Sequence, residues 1–420
     1  MIFTNAQAVI SYLYTLPKLH DKADLSYIKR VLAVLDNPQD KIKTIHVTGT
    51  NGKGSTSYYL SNLLQKAGQK TGLFVSPYVF AFGERMQVNG QNISDDQLVI
   101  VANQVERALS KISRKESNFA LSTFEYEVAM AFTFFAQVKC DYAVIEVGIG
   151  GRRDQTNVII PEVSIITTVG LDHEKLIGPT IEDIAREKSG IIKANRPVVL
   201  GNIPTSVLPI IEQQANQMHA PCYLLSRDFT VNSNQRLSYQ DKQHKLEFFI
   251  KPEVESYDIA VAVQAFNLLK IPLTAAEIVA AINQTVIPGR YQILQNDPLI
   301  ILDGAHNLQA MSNLLEFVHQ EQNKRHGQVR TLIMMMKDKD LGPVFSLFND
   351  TDQVELTTID YPRAAKKQDF PKSIQAKYSY HEDWQQAYNK LKRVSTSHDI
   401  LLVTGSFYLV GNVLQLEAGK

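Results

Sequence analysis

Short apolar runs rich in β-branched residues alternate along most of the chain with longer segments whose apolar positions recur every three or four residues. The short runs are typical of strands buried in a parallel sheet, and the longer segments are typical of helices that cover it. The predicted strands in the first part of the chain are residues 42–47, 71–75, 141–147, 163–169 and 197–200. The predicted helices there are residues 6–16, 25–35, 56–67 and 95–111, a segment opened by residues 122–125, and residues 181–192, 206–217, 256–270 and 274–285. This alternation indicates an α/β fold.

The alternation restarts after Pro288-Gly289-Arg290. Residues 299–302, 331–335, 355–359 and 400–404 are predicted strands, and residues 308–320, 342–348 and 383–393 are predicted helices. We therefore predict an N-terminal parallel-sheet domain over residues 1–290 and a smaller Rossmann-like α/β domain over residues 291–420. From about residue 217 to residue 257, short alternating segments predict a β-appendage to the first domain. The second domain contains no GxGxxG string, so a dinucleotide is not indicated.

Composition narrows the class of protein. The 420 residues include 43 basic and 43 acidic side chains, a balance that gives no sign of a nucleic-acid or anionic-membrane partner. Cys140 and Cys222 are the only cysteines and form no CxxC pair, which argues against a disulfide framework or a cysteine zinc site and fits the cytoplasm. The N-terminal segment lacks a basic stretch and predicts a helix, not a signal peptide, and no apolar run is long enough to span a bilayer.

The string HVTGTNGKGST at residues 46–56 carries the clearest chemical signal. A strand, a glycine-rich loop and a helix that follow one another bind phosphate groups, because glycines let the main chain approach the anion and the helix start presents unpaired N–H groups. Lys53 adds a positive charge, so the string indicates a nucleoside triphosphate. The spacing departs from the Walker sequence, since two residues separate Gly49 from Gly52 and Gly54 follows Lys53. The alternative is a glycine-rich turn without a ligand.

Polar residues near the predicted phosphate site suggest ligands for a cation. Glu146 lies near the end of an apolar strand, just before GIGG, in the position of a Walker B acid that serves Mg²⁺. His173 follows the next strand in GLDH, and a histidine at that edge can be a ligand, although a lone histidine is more often structural. Residues 78–91 are polar and contain glycine, which predicts a long loop that is either a binding loop or simple filler.

Two further clusters allow a plain structural interpretation. Arg186, Glu187 and Lys188, taken alone, are typical of a solvated helix face. Thr123 can cap the helix that it opens, and Phe124 can belong to the core.

The departures in the glycine loop are informative, because GTNGKGS resembles the phosphate loop of the Mur ligase superfamily. With glycine after the lysine, it most resembles that of the folylpolyglutamate synthase/dihydrofolate synthase family. Further strings similar to the family's occur in the same order over nearly the whole chain. They are IEVGIGGRRDQTNVI (145–159), VGLDH (169–173), AREKSGIIK (185–193), IPGR (287–290), LDGAHN (302–307), MKDKD (336–340) and TGSFYLVG (404–411). Chance similarity would not preserve that order.

The resemblance implies roles for individual residues. Those that would bind ATP are Gly49, Thr50, Asn51, Gly52, Lys53, Gly54, Ser55, Thr56, Arg290 and Asp303. Those that would coordinate Mg²⁺, in two sites, are Ser55, Ser76, Glu146 and His173. Those that match the family's pterin side are Thr123, Phe124, Glu125, Arg153 and Asp154, where an aromatic face and a carboxylate suit a flat ring with donor edges.

The resemblance also implies the catalytic residues Lys53, Lys188 and His306. Lys188 matches a lysine that the family carries as an N-carbamate, which would reverse the charge of an ammonium close to magnesium. His306 and Asn307 are expected near the incoming amino acid or the phosphates. Since the hinge and the second domain contribute to the ATP site, domain closure would complete it.

Four positions depart from the family's pattern. Tyr78 replaces a usual histidine, Arg153 a usual leucine, Leu308 a usual proline and Asp258 a usual ATP-contacting asparagine. The first two bear on the preferred pterin substrate, and the last bears on one nucleotide contact.

The resemblance implies an ATP-dependent ligase of folate metabolism that adds L-glutamate to the terminal carboxylate of tetrahydrofolate through an acyl phosphate. ATP, folate and L-glutamate would be its partners, without nucleic acid or membrane, and the chain would act as a cytoplasmic monomer. One alternative is a dihydrofolate synthase acting on dihydropteroate, or a bifunctional enzyme. More distant alternatives are a nucleotide switch and a cell-wall Mur ligase.

Overall fold

The computed structural model of the chain describes residues 2–18, 24–172, 174–233, 236–249, 251–339 and 341–419, without the side chain of Lys175. The chain divides into two compact units. The first consists of Met1–Ser76 and Phe82–Thr285, and the second consists of Pro77–Ala81 and Val286–Lys420. This division lies close to the boundary expected at Pro288-Gly289-Arg290.

A parallel sheet with two added edge strands forms the centre of the first unit. Its strands are Lys43–Thr48 (β1), Thr71–Phe74 (β2), Met86–Val88 (β3), Gln91–Asn92 (β4), Tyr142–Glu146 (β5), Val163–Thr168 (β6), Val198–Asn202 (β7) and Cys222–Leu224 (β8), in the order β4-β3-β2-β5-β1-β6-β7-β8. The edge strands β3 and β4 run antiparallel, and the remaining pairs are parallel. The carboxyl ends of β1, β5 and β6 therefore meet at one edge, where parallel sheets bind ligands.

Helices cover this sheet, and several begin at polar caps. The helices are Ala6–Leu13 (α1), Ser26–Val34 (α2), Lys53–Lys66 (α3), Asp95–Ser113 (α4), Thr123–Gln137 (α5), Glu174–Ile177 (α6), Ile181–Ser189 (α7), Leu208–Gln217 (α8), Glu253–Leu268 (α9) and Ala275–Gln284 (α10). Ser94, Ser122 and Thr274 each form a capping box with the residue three positions later. The interpretation of Thr123 as a cap is thus wrong, because Ser122 caps α5 and Thr123 is its first helical residue.

The predicted β-appendage is a small antiparallel sheet. Its strands are Thr230–Asn232 (β9), Leu237–Gln240 (β10) and Lys245–Phe248 (β11), in the order β11-β10-β9. Residues 78–91, predicted as a loop, instead contain the 3-10 helix Phe82–Arg85 together with β3 and β4. These strands have 3 and 2 residues, too few for a periodic pattern to reveal them.

The second unit is built on a mixed sheet. Its strands are Gln292–Asn296 (β12), Leu299–Leu302 (β13), Val329–Ile333 (β14), Gln353–Thr357 (β15), Ser379–His381 (β16) and Ile400–Thr404 (β17), in the order β12-β13-β17-β14-β15-β16. β12, for which no strand was predicted, is antiparallel to β13, whereas the other strand pairs of this sheet are parallel. A register shift between Ile293 and Gln295 interrupts the alternation that would have predicted β12.

The helices of the second unit are Leu308–Arg325 (α11), Lys372–Lys377 (α12), Trp384–Val394 (α13) and Phe407–Ala418 (α14). The predicted helix 342–348 is the short 3-10 helix Pro343–Leu347. Segment 77–81 packs on α14: a Cβ built on Gly411 would lie 1.8 Å from the carbonyl oxygen of Val79. Only glycine permits this close approach, which explains a glycine in the middle of α14.

The two units together give an α/β fold with a mostly parallel first sheet and a mixed second sheet. Within the described part of the chain, no helix combines the length and apolarity that crossing a membrane requires.

Candidate functional site

The glycine loop joins β1 to α3 at the carboxyl edge of the first sheet. Gly52 immediately precedes α3 and has φ of 83°, a left-handed conformation that glycine adopts without strain. Lys53 Nζ donates to the carbonyl oxygens of Gly49 at 2.9 Å and Thr50 at 3.3 Å, so its ammonium lies over the loop. Ser55 and Thr56 lie buried in the first turn of α3. The Lys53 ammonium and the first turn of α3 thus lie together at the glycine loop, the combination that binds phosphate groups in other proteins.

The end of β6 holds the loop in this shape. Thr168 Oγ1 accepts from Asn51 N at 2.9 Å, and Gly170 N donates to Thr50 Oγ1 at 2.9 Å. A Cβ built on Gly49 would lie 1.8 Å from Thr167 Oγ1, so this position also needs glycine. The sequence analysis did not single out Thr167 and Thr168. The feature that could have pointed to them is a pair of threonines at the carboxyl end of the predicted strand 163–169.

Glu146 ends β5 beside the first turn of α3. It is 4% exposed, and its Oε2 accepts from Ser76 N at 2.8 Å. A Cβ built on Gly54 would lie 3.7 Å from Glu146 Oε1, which places the carboxylate next to the neighbour of Ser55. Glu146 thus contacts Ser76 and lies beside the turn that contains Ser55. Carboxylate and hydroxyl oxygens suit Mg²⁺, and the assignment of these residues as its ligands stays a prediction. His173 lies outside the described residues.

Lys188 is buried at the end of α7, with 3% of its surface exposed. The interpretation of a solvated face is therefore wrong for Lys188. Burial lowers the pKa of its ammonium well below the usual value, and the charge of Lys53 lowers that pKa further. Asp172, Asp154 and Glu187 oppose the shift. The buried site of Lys188 thus favours the neutral form of the amine.

The loop after β5 wraps around the end of α7. Arg152 N donates to Glu187 O at 2.7 Å, and a Cβ built on Gly151 would lie 2.6 Å from the same oxygen. Arg153 Nε lies 3.4 Å from Glu187 Oε1, with 62% of the arginine side chain exposed. Asp154 is buried, and burial raises the pKa of its carboxyl.

Gly148 brings an aromatic ring and a carboxylate together. A Cβ built on it would lie 2.7 Å from Phe124 Cζ and 3.2 Å from Asp154 Oδ2. Thr123 Oγ1, by contrast, donates to Leu13 O at 3.0 Å, and Glu125 Oε2 accepts from Ser122 N at 2.7 Å within the capping box. These hydrogen bonds show that Thr123 and Glu125 stabilise the start of α5. Their contacts with a pterin stay a prediction.

The predicted residues of the second unit gather at the carboxyl end of β13. Asp303 is buried and accepts from Tyr291 N at 2.8 Å and Ala305 N at 2.7 Å. Burial raises the pKa of Asp303, and Arg290 counteracts that rise. His306 Nδ1 lies 2.9 Å from Gly304 O.

Phe407 is the centre of this second cluster, and sequence reasoning assigned it no role. The Arg290 guanidinium lies 4.5 Å from the centre of its ring, and the His306 ring lies 6.3 Å from it. A Cβ built on Gly304 would lie 2.5 Å from Phe407 Cδ1. The string TGSFYLVG was the available signal.

Two of the departures from the family pattern have a clear structural setting. Leu308 is the first residue of α11, after the cap Asn307, where a missing proline leaves the helix intact. Asp258, on α9, lies against Gly52: a Cβ built there would be 2.1 Å from Asp258 Oδ1.

Family models match both parts of the chain. The Mur ligase middle domain matches residues 47–268, and the Mur ligase glutamate ligase domain matches residues 289–407. The folylpolyglutamate synthase of Lacticaseibacillus casei is 31% identical over 99% of this chain and 99% of that protein. The dihydrofolate synthase/folylpolyglutamate synthase of Bacillus subtilis (strain 168) is 31% identical over 98% of this chain and 99% of that protein.

Solved structures of proteins with these names are also similar to this chain along nearly its whole length. The apo form of L. casei FPGS superposes with a TM-score of 0.89 at 30% identity, covering 99% of this chain and 100% of that chain. An FPGS–AMPPCP–folate complex gives a TM-score of 0.86 at 30% identity, with coverage of 99% and 100%. A bifunctional folylpolyglutamate synthase/dihydrofolate synthase from Yersinia pestis, complexed with AMPPNP and Mn ion, gives 0.87 at 26% identity, with coverage of 99% and 98%. Since the middle-domain match spans more than half of the chain and relatives align along nearly its whole length, the chain belongs to the folylpolyglutamate synthase/dihydrofolate synthase family of the Mur ligase superfamily.

Proposed function

We propose that the protein is an ATP-dependent ligase that joins L-glutamate to the terminal carboxylate of a folate. The observation that carries this proposal is the glycine loop with Lys53 over it and Glu146 beside it, in a chain 31% identical to a folylpolyglutamate synthase along 99% of its length. The FPGS–AMPPCP–folate complex supports it further, because that relative binds an ATP analogue and folate.

The reaction activates the carboxylate before the amine attacks. A carboxylate oxygen of the folate attacks the γ-phosphorus of ATP, the bond to the bridging oxygen breaks, and ADP leaves an acyl phosphate. The neutral amine of L-glutamate then attacks the acyl carbon, phosphate departs with its electron pair, and the nitrogen loses a proton. Lys53 and the N–H groups at the start of α3 offset the negative charge of the transferring group.

Ser55, Ser76 and Glu146, with His173, would hold Mg²⁺ in two sites on the phosphates. The metal supplies charge neutralisation and a template for the triphosphate when it is bound. The Y. pestis relative, solved with AMPPNP and Mn ion, supports a divalent cation. Thr50, Asn51, Gly52, Gly54, Thr56, Arg290 and Asp303 would bind the nucleotide, and His306 would lie near the incoming amino acid.

Lys188 would carry an N-carbamate. Its neutral Nζ would attack the carbon of CO₂ and form an N–C bond, and the nitrogen would release a proton to leave an anion. The lowered pKa of the buried amine supports this step, because only the neutral amine is nucleophilic. The nearby carboxylates disfavour the negative charge of the carbamate, and Lys53 and the bound metal would offset it.

The Phe124 ring and the Asp154 carboxylate, which flank Gly148, would receive the pterin, with Thr123, Glu125 and Arg153 around them. A bifunctional enzyme that also accepts dihydropteroate is the second candidate, because the B. subtilis relative bears both names. Tyr78 and Arg153 are the residues of this chain that could shift the preference.

ADP release by the purified protein tests the proposal. With Mg-ATP and L-glutamate, tetrahydrofolate alone should support turnover for a folylpolyglutamate synthase, and dihydropteroate should support it as well for a bifunctional enzyme. An equal rate without pterin or glutamate would refute the ligase function. We further propose a cytoplasmic monomer, which light scattering of the purified chain and cell fractionation would test.

A further inference from the structure

Three buried polar side chains form one hydrogen-bond network that runs from the middle of β1 to the loop after β5. His46 Nε2 lies 2.8 Å from Thr156 Oγ1, and Thr156 Oγ1 donates to Asp154 Oδ1. Their exposed fractions are 0% for His46, 0% for Thr156 and 6% for Asp154. The proposed chemistry uses Asp154 but gives no role to His46 or Thr156.

The number of available protons restricts which group donates and which accepts in each hydrogen bond of this network. Thr156 has one hydroxyl proton, so it can donate to only one of its two neighbours. Burial, with the charge of Lys193, lowers the pKa of His46 to about 3, so the imidazole is neutral near pH 7 and protonated on one ring nitrogen. When Thr156 donates to Asp154, His46 must therefore donate from Nε2.

The reverse direction is disfavoured at both ends. It would protonate Asp154 on Oδ1, the oxygen that accepts from Thr156 N at 3.0 Å. It would also move the imidazole proton to His46 Nδ1, which is buried and has no hydrogen-bond partner among the described residues. A buried N–H without an acceptor is rarer in proteins than an unsatisfied acceptor. Burial raises the pKa of the Asp154 carboxyl, and the hydrogen bonds that it accepts from Thr156 and, at 2.9 Å, from Ile149 N oppose that rise and favour the ionised carboxylate.

We infer that His46 and Thr156 are positioning residues for the substrate: they hold Asp154 as a fixed, acceptor-only carboxylate beside the Phe124 ring. A carboxylate held in this way selects a flat heterocycle that stacks on the ring and presents N–H donors at its edge. This inference rests on the proposed function, because it requires the substrate ring to lie between Phe124 and Asp154.

Matched pairs of variants separate this role from loop stability. Thr156→Val removes the hydroxyl at nearly constant volume, whereas Thr156→Ser keeps it. His46→Leu removes the donor, whereas His46→Gln restores an N–H group near the Nε2 position. Steady-state KM values for the folate substrate, ATP and L-glutamate are measured for each variant, together with thermal stability.

We expect Thr156→Val and His46→Leu to raise the KM for the folate about tenfold and to change the KM for ATP less than about twofold. Thr156→Ser and His46→Gln should stay within about threefold of the wild-type folate KM. The folate KM of the double variant Thr156→Val/His46→Leu should equal that of Thr156→Val alone, because both changes interrupt the same hydrogen-bond network. Additive effects, or equal increases in both KM values, would overturn the inference.

The imidazole tautomer gives a readout in the unmodified protein. Nitrogen-15 chemical shifts of the His46 ring, assigned by their loss in His46→Gln, should report a neutral ring protonated at Nε2. An Nδ1–H tautomer would contradict the inference even if the variants fail to fold.

Asp154→Asn separates this inference from the proposed function. If Asp154→Asn raises the folate KM and Thr156→Val does not, the positioning role is wrong and the pterin role of Asp154 stands. If Asp154→Asn leaves the folate KM unchanged, the pterin role of Asp154 is wrong, and the positioning role falls with it.

Discussion

The carboxylate of Asp258 lies against the α-carbon of Gly52, so that a Cβ built on Gly52 would come within 2.1 Å of Asp258 Oδ1. Gly52 begins the turn into α3, where phosphate is expected, and Asp258 belongs to α9. A buried carboxyl group therefore lies beside a loop that is suited to anions. In the family pattern that the sequence resembles, a neutral asparagine stands at this position.

Asp258→Asn should strengthen ATP binding. The change keeps the shape of the side chain and removes its capacity to carry a negative charge, so less repulsion should act on the triphosphate and the KM for ATP should fall about three- to tenfold. Glu255→Gln is a matched control, because Glu255 is a buried carboxylate on the same helix that interacts with Tyr59 OH at 3.3 Å. Steady-state kinetics at saturating folate measure both variants, and an unchanged or higher KM for Asp258→Asn would refute the electrostatic argument.

Gly52→Ala should abolish nucleotide binding for two reasons. Its φ of 83° strains any other residue, and its Cβ would displace Asp258 or the loop. We expect kcat/KM for ATP to fall at least about 100-fold. Gly68→Ala isolates the strain, since Gly68 has φ of 72° and no atom within 4 Å of a built Cβ. Equal losses in the two variants would show that the clash with Asp258 is irrelevant.

Lys188→Ala should lose most ligation while it keeps the fold, and added bicarbonate should not restore activity. The direct measurement is carbon-13 NMR after equilibration with labelled CO₂: the wild type should show a carbamate signal that Lys188→Ala lacks. Lys193→Ala is the control, because burial and Lys29 also lower the pKa of Lys193, without the contribution of Lys53. Near-wild-type activity of Lys188→Ala would rule out the carbamate role.

Local patterns predicted the central elements but not those that depend on distant contacts. The step from β1 through the glycine loop to α3 was predictable, because its glycines and apolar run are contiguous. α14 was not, since its sequence FYLVGNVLQLEA has apolar residues on several faces and a central glycine. That glycine is explained only by Val79, which is far away in sequence and crosses α14 at Gly411.

The candidate site shows the same division. Sequence alone indicated Lys53 and Glu146, because Lys53 lies in the loop after a predicted strand and Glu146 lies near the end of another. The threonines 167 and 168 that hold the glycine loop bind a partner more than 100 residues away, which leaves no local pattern. The burial of Lys188 likewise depends on how α7 packs in the fold. Phe407 likewise becomes important only when Gly304 and Arg290 meet its ring.

Gly304→Ala should weaken the second unit. Its Cβ would lie 2.5 Å from Phe407 Cδ1 and force the ring away from Arg290, at a cost of about 1–3 kcal/mol in the free energy of unfolding. Trp384, the single tryptophan, lies in this unit, so its fluorescence in denaturant reports the change. Gly342→Ala is the control, because the nearest atom to its Cβ would be 3.8 Å away. Equal stability of both variants would contradict the packing argument.

His46 should contribute to the acid sensitivity of the first unit. Because burial lowers its pKa from 6.5 to about 3 in the folded state, the unfolded chain binds the proton more readily throughout this range. The stabilisation is complete above pH 6.5 and is lost as the pH falls toward 3.

Between about pH 7.5 and about pH 5, the wild type should lose about 2 kcal/mol in the free energy of unfolding from this histidine alone, a loss that His46→Gln lacks. Hydrogen exchange of the β1 amides, compared between the two proteins at each pH, isolates the contribution, because the other groups titrate equally in both. The comparison needs no two-state assumption for the whole chain, since the amides of a central strand report opening of their own unit. Parallel profiles of unfolding free energy against pH would mean that His46 has an ordinary pKa in the folded protein. The imidazole could then carry a charge, whereas the hydrogen-bond network that leads to Asp154 requires a neutral imidazole.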